Sequence, residues 1–179
     1  AKVEFSHITT RGGDEGKTSL INGERRFKSE LVFEVLGTLD ELSSCIGLIR
    51  AHLDPSDLAA MLKTMQQDLV ILGGHVATPP PGSPRTLLDP ARIDWMEGLE
   101  AELIKGLEFK GFIHPGDSRP GAFADLARTV CRRTERLLVR WIHESHALGH
   151  EVNQRYLNRL SDYLFVLARQ LDKGIESST

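Results

Sequence analysis

The sequence predicts an all-α protein, a bundle of five helices, on three observations. Apolar residues recur at the three- and four-residue spacing of a helix in five separate stretches. Almost nothing alternates with the period of two that marks a half-buried strand. Glycine or proline marks each break between the five stretches, from Pro55 to Gly149. A chain of 179 residues, 40% hydrophobic, is long enough to close one such core, so a single domain is expected over residues 1–179. Residues 1–30 form its non-helical opening segment and residues 31–173 its bundle.

Residues 1–30 lack helical periodicity and contain Thr9–Leu20, TTRGGDEGKTSL. Glycines there free the backbone to curl, and a curled backbone points N–H groups at an anion such as phosphate. Thr10, Thr18 and Ser19 add hydroxyls, and Lys17 and Lys28 add charge. A P-loop is excluded, because GxxxxGK[ST] needs glycine where this chain has Arg11, and no apolar strand precedes it. A polar loop with no ligand is the plain alternative; Asp14 either serves a cation or holds the turn, the commoner role of a loop aspartate.

The first helix is expected over about 32–53, with Val35, Leu39, Leu42, Ile46 and Ile49 on one stripe. Asp40 and Glu41 interrupt its apolar pattern. Asp40 lies beside the stripe, so a cationic partner is expected for it, and the arginine-rich fourth helix is the obvious supplier. Pro55 and Ser56 open the second helix, whose buried face runs from Leu58 to Val76 and uses Met61 and Met65 as filler. Gly73 and Gly74 weaken its end, and TPPPGSPRTLLDP cannot continue it. Asp89 and Pro90 start the third helix, about 90–106, ending at Gly106. Residues 107–121 read as irregular. Phe112 in that loop either anchors it in the core or shapes a ligand pocket. His114 has no second ligand at a metal-site spacing.

The fourth helix, about 122–145, carries Arg128, Arg132, Arg133, Arg136 and Arg140. Arg128, Arg132, Glu135 and Arg136 fall at i, i+4, i+7 and i+8 and share a stripe, while Arg133 is rotated by about 100° from Arg132. Arginine gives bidentate contact with phosphate or carboxylate, so the stripe is either a polyanion site or half of an ion-pair network, the plain alternative being a solvated basic face. Gly149 breaks the chain, and the fifth helix runs over about 151–173, with Asn158, Arg159 and Asp162 off its apolar stripe. The tail 174–179 is expected to fray.

Net charge −3 and a pI near 6.2 argue against a general nucleic-acid binder. No apolar run approaches the ~18 residues of a membrane span, and no charged-then-apolar segment opens the chain. Cys45 and Cys131 sit in helical patterns, as reduced core residues rather than a disulfide.

Read together, TTRGGDEGKTSL, GERRFK, GTLDELSS, FIHPGDS, RTVCRRTER and YLNRLSDYLFVLAR, in that order, resemble the PduO-type ATP:cob(I)alamin adenosyltransferases over nearly the whole chain. The resemblance implies a ferritin-like five-helix bundle assembled as a homotrimer, with ATP held between the N-terminal loop of one subunit and the arginine helix of the next. It implies transfer of the 5′-deoxyadenosyl group of ATP to the cobalt of cob(I)alamin, with Mg2+, giving adenosylcobalamin and triphosphate. By position, Thr10, Arg11, Gly12, Gly13, Thr18, Ser19 and Lys28 become the loop side of the ATP site. Arg132, Arg133, Glu135, Arg136 and Asn158 become its helix side, and Arg132 acts in the transfer. Asp40 matches an acid that pairs with the counterpart of Arg128 across the subunit interface, and Phe112 matches the aromatic that closes beneath the corrin. No metal ligand is assigned. The family pattern is broken at Asp117, Phe123 and Asp125, so the ATP half is better preserved than the corrinoid half. A reductase and an adenosylcobalamin-dependent enzyme are the implied protein partners. The implied compartment is a bacterial cytoplasm, with the mitochondrial matrix as alternative. A carrier or regulator that binds nucleotide or corrinoid with little turnover is the competing function. A structural bundle whose arginines only pair with Asp40, Glu41 and Glu135 is a third.

Overall fold

The computed structural model describes residues 2–109 and 111–176. Its five long helices are α2 (Leu31–Ala51), α3 (Asp57–Val76), α4 (Ala91–Leu103), α5 (Arg119–Ser145) and α6 (Glu151–Glu176). Each overlies one of the five periodic stretches. Ahead of them stand one helical turn, α1 (Phe5–Ile8), and a hairpin of β1 (Lys17–Ser19) and β2 (Arg25–Phe27). The hairpin corrects the expectation of an opening segment without regular structure. Its antiparallel register sets Thr18 opposite Arg26 and Ser19 opposite Arg25. Three-residue strands are too short for an alternating pattern to stand out. The turn between them is tied to the bundle by buried Leu20 and by a bond from Ile21 N to Ala77 O of 3.3 Å.

Helix starts follow their capping residues. Ser56 Oγ accepts from Ala59 N at 3.2 Å, and Ser118 Oγ accepts from Gly121 N at 2.9 Å. Ser118 starts α5 earlier than expected, because Pro120 fits the first turn, where its missing N–H costs nothing. The helix ends at His146, which takes a left-handed conformation with φ 52°. Helix α6 runs on to Glu176, past the point where fraying was expected; residues 177–179 of that expectation lie outside the described residues.

Helix α5 packs on both α2 and α6, with α3 against α2 and α4 against α6. Leu42, Ile46, Leu62, Met65, Leu72, Leu138, Leu157 and Leu164 are fully buried between them, each contributing about 1.5–3 kcal/mol through area removed from water. Cys45 and Cys131 are buried and free, and burial pushes the Cys131 thiol well up. Asp68 ties three helices together. It accepts from Arg92 at 2.8 Å and from the Tyr156 hydroxyl at 2.8 Å. No helix among the described residues is long and apolar enough to cross a membrane.

Candidate functional site

Helix α5 presents Arg132, Glu135, Arg136, Val139, Arg140 and His143 along one stripe, and these line an open cleft of about 650 Å³. That volume lies within the usual range for small-ligand sites. The α5 arginines divide by their partners. Arg128 donates to Asp125 at 3.1 Å, Arg133 pairs with Glu41, and Arg140 pairs with Glu144 at 2.7 Å. Arg132 and Arg136 make no hydrogen bond or ion pair among the described residues; both act electrostatically on Glu135. A structural bundle that spends its arginines on internal pairs does not describe these two. Burial raises the Glu135 carboxyl pKa, Arg132 lowers it, and Asp162 on α6 raises it again. Asp162 lies one turn beyond Asn158, which is exposed on α6.

The glycine-rich loop folds back on β2. Arg11 takes a left-handed conformation, φ 59°, which few non-glycine residues adopt. Thr10 Oγ1 accepts from Gly12 N at 3.4 Å, Arg25 Nη2 donates to Gly12 O at 2.6 Å, and Lys28 Nζ donates to Gly13 O at 3.0 Å. A Cβ at Gly13 would come within 2.7 Å of that ammonium, so glycine keeps the lysine close to the loop backbone. Arg25 also reaches Ser19 Oγ at 3.4 Å. This brings Thr10, Gly12, Gly13, Ser19 and Lys28 into one exposed knot, with Thr18 in the hairpin beneath. No residue of that knot lines the α5 cleft within the chain. The hairpin meets the C-terminal end of α5 through Arg26, which shares a smaller cavity with Trp141, Glu144 and Ser145.

Within one chain, the other expected residues have the following surroundings. Within the chain the arginine helix meets Glu41, not Asp40. Asp40 sits about 100° around α2 from Glu41 and lines a shallow recess toward α3 with Ser43 and Gln66; it has no ion-pair partner among the described residues. Phe112 is not a core anchor: it is 88% exposed, and its ring stands edge-on to that of His114, with centroids 5.4 Å apart. The substituted positions Phe123 and Asp125 are packing residues here. Phe123 lies against the His52 ring, and Asp125 is buried, paired with Arg128 and Arg169.

Asp125 opens a network that sequence reasoning missed. Arg169 also pairs with Asp172 at 3.2 Å, and Asp172 accepts from Ser118 Oγ at 2.7 Å. Gly121 is required beside it, because a Cβ there would collide with the Asp172 carboxylate and lie 2.6 Å from Ser118 Oγ. The start of α5, and with it the end of the Phe112 loop, is thereby fixed to α6. Arg169 and Asp172, opposite charges three residues apart directly after the apolar run LFVLA, were the available signal.

The fold and this cleft define a helix bundle that presents two arginines, Arg132 and Arg136, without a hydrogen bond or ion pair among the described residues. The cobalamin adenosyltransferase family model matches residues 8–171. The chain is 44% identical over 175 residues to a cobalamin adenosyltransferase of Cupriavidus metallidurans, covering 95% of this chain and 90% of the relative. It is 39% identical to a corrinoid adenosyltransferase of Bacillus subtilis, covering 90% of this chain and 84% of that one. A solved variant of the PduO-type ATP:corrinoid adenosyltransferase of Lactobacillus reuteri, complexed with cobalamin and ATP, superposes with a TM-score of 0.86 at 27% identity, over 94% of this chain and 95% of that one. This chain belongs to the cobalamin adenosyltransferase family.

Proposed function

We propose that this protein transfers the 5′-deoxyadenosyl group of ATP to the cobalt of cob(I)alamin, releasing triphosphate. The observation that carries the reading is the pair Arg132 and Arg136, unpaired among the described residues in the α5 cleft. Cob(I)alamin is itself the nucleophile. A cobalt–carbon bond forms at C5′ as the carbon–oxygen bond to the triphosphate breaks, and the electron pair leaves on the triphosphate oxygen. The protein therefore has to orient two substrates, exclude water and stabilise charge on the departing group. Arg132 and Arg136 do the last of these from the helix, with Lys28 and the Gly12–Gly13 backbone from the loop. Thr10, Arg11, Thr18, Ser19, Arg133 and Asn158 complete the nucleotide contacts.

The loop knot and the cleft are not joined within one chain, which supports a site shared between neighbouring subunits of a homotrimer. Asp40, unpaired among the described residues, is then available to a neighbour's Arg128. Exposed Phe112 is available to the lower face of the corrin, where an apolar ring excludes an axial ligand. Mg2+ fits as a cation carried largely by the triphosphate and water, with Glu135 as the cleft carboxylate; it would supply further charge neutralisation. The whole chain works as one domain, with 1–30 serving the nucleotide and 31–173 the scaffold. We place it in a bacterial cytoplasm, the mitochondrial matrix being the alternative, with a reductase before it and an adenosylcobalamin-dependent enzyme after it. Thermal unfolding with and without Mg-ATP tests the binding half. A ligand at a hundred times its Kd stabilises by about 2.7 kcal/mol. The reading expects a saturable rise in Tm that Arg132→Ala and Arg136→Ala each reduce; no rise in the unsubstituted protein contradicts it.

A further inference from the structure

A second cavity, of about 430 Å³, lies away from the arginine stripe, where the end of α3 meets the start of α6. Its polar wall is a pair of histidines 75 residues apart in sequence. The rings of His75 and His150 stack, with centroids 3.9 Å apart and planes 20° from parallel. Trp141 sets its edge on His150 at 4.9 Å. Asn153 Nδ2 lies 3.0 Å from Nδ1 of both rings. An amide nitrogen only donates, so both Nδ1 atoms accept and both neutral rings carry their proton on Nε2. Neither Nε2 has a hydrogen-bond partner among the described residues, and both stay open to water although the His150 side chain as a whole is buried. Burial lowers the pKa of both imidazoles, and His150 falls to about 4, so the rings are neutral donors near pH 7.

We propose that this cavity is a binding site for a small carboxylate with an apolar body. Two stacked Nε2–H groups form a side-by-side donor pair suited to the two oxygens of a carboxylate, as the fork of arginine is. The Nδ1 lone pairs converge on Asn153 Nδ2, which already occupies that point, so the open edge of the pair is its Nε2 side. Pro79, Pro80, Pro84 and Leu148 give the cavity an apolar wall for the rest of the ligand. Arg26 stands at the same cavity and carries positive charge, partly compensated by Glu24 and Glu30. Glu151 opposes the anion, since its charge already acts on both imidazoles. Ligand binding therefore has to come from the donor pair and the apolar wall together.

The test is NMR of the histidine ring signals in the full chain, titrated at constant ionic strength with benzoate, acetate and inorganic phosphate. Saturable shifts of both His75 and His150, tighter for benzoate than for acetate, are expected. Affinity should fall at least tenfold in His150→Phe and in His75→Phe, each checked for fold by circular dichroism. Unmoved histidine signals in the unsubstituted protein overturn the proposal, whatever the variants do. Unchanged benzoate affinity in a folded variant also overturns it, and binding of phosphate alone overturns the assignment to carboxylates.

Discussion

Arg132 and Phe112 carry the most specific claims at the scale of single residues. Arg132 has no ion-pair partner among the described residues, and Glu135, the half-buried acid that it acts on, keeps Arg136 when Arg132 is removed. Arg132→Ala should keep its helicity and lower kcat/KM for adenosyl transfer by roughly 10²–10³-fold, the loss typical of one transition-state donor. Loss of helicity by circular dichroism would make the residue structural instead. Phe112, almost wholly exposed, should be neutral to stability within about 0.5 kcal/mol when changed to alanine. Phe112→Ala should lower kcat while leaving the KM for ATP unchanged; unaltered turnover would remove it from the mechanism. Which arginines stay unpaired was not legible in the sequence. Arg128, Arg132, Arg133 and Arg136 look alike there, and the acids that take Arg128 and Arg133 depend on helix rotation and on a partner 92 positions away.

Two junctions between elements decide local stability. The Ser118–Asp172–Arg169–Asp125–Arg128 network clamps the start of α5 to α6. Asp125→Ala leaves Arg128 without its ion-pair partner and the buried Arg169 with Asp172 alone, and should cost about 3–5 kcal/mol, read as a lower urea midpoint at unchanged slope. The α3–α6 junction holds His150, whose pKa is depressed to about 4 by burial and by the positive charge His75 would carry. The unfolded chain binds that proton near pH 6.5, while the folded one does not until about pH 4. The contribution is therefore complete above pH 6.5 and lost as pH falls toward 4, by up to ~3 kcal/mol. His150→Phe should flatten that part of a stability–pH profile; an unchanged slope would contradict it. Helix positions were readable because each long helix buries a stripe with a 3.6-residue period. The hairpin and α1 were not, since three- and four-residue elements carry no measurable period, and long-range polar pairs leave no mark on local pattern.

The whole molecule was legible where order along the chain matters and opaque where neighbouring chains do. GERRFK, GTLDELSS, RTVCRRTER and YLNRLSD follow one another in the order that carries the family resemblance. In the proposed shared site, how the loop of residues 10–28 meets the cleft on α5 is set by a second subunit, which local sequence pattern does not encode. A homotrimer with shared sites predicts complementation. Lys28→Ala and Arg132→Ala should each be inactive alone, yet co-expressed chains should regain about a quarter of the sites, those pairing an intact loop with an intact cleft. No recovery in mixed trimers would place both halves of a site on one chain. The central claim is tested most directly by anaerobic turnover of chemically reduced cobalamin with Mg-ATP, followed in the visible spectrum. ATP-dependent loss of the cob(I)alamin bands with formation of adenosylcobalamin is the predicted result. ATP binding without product would contradict it and leave a nucleotide-binding carrier on the same fold.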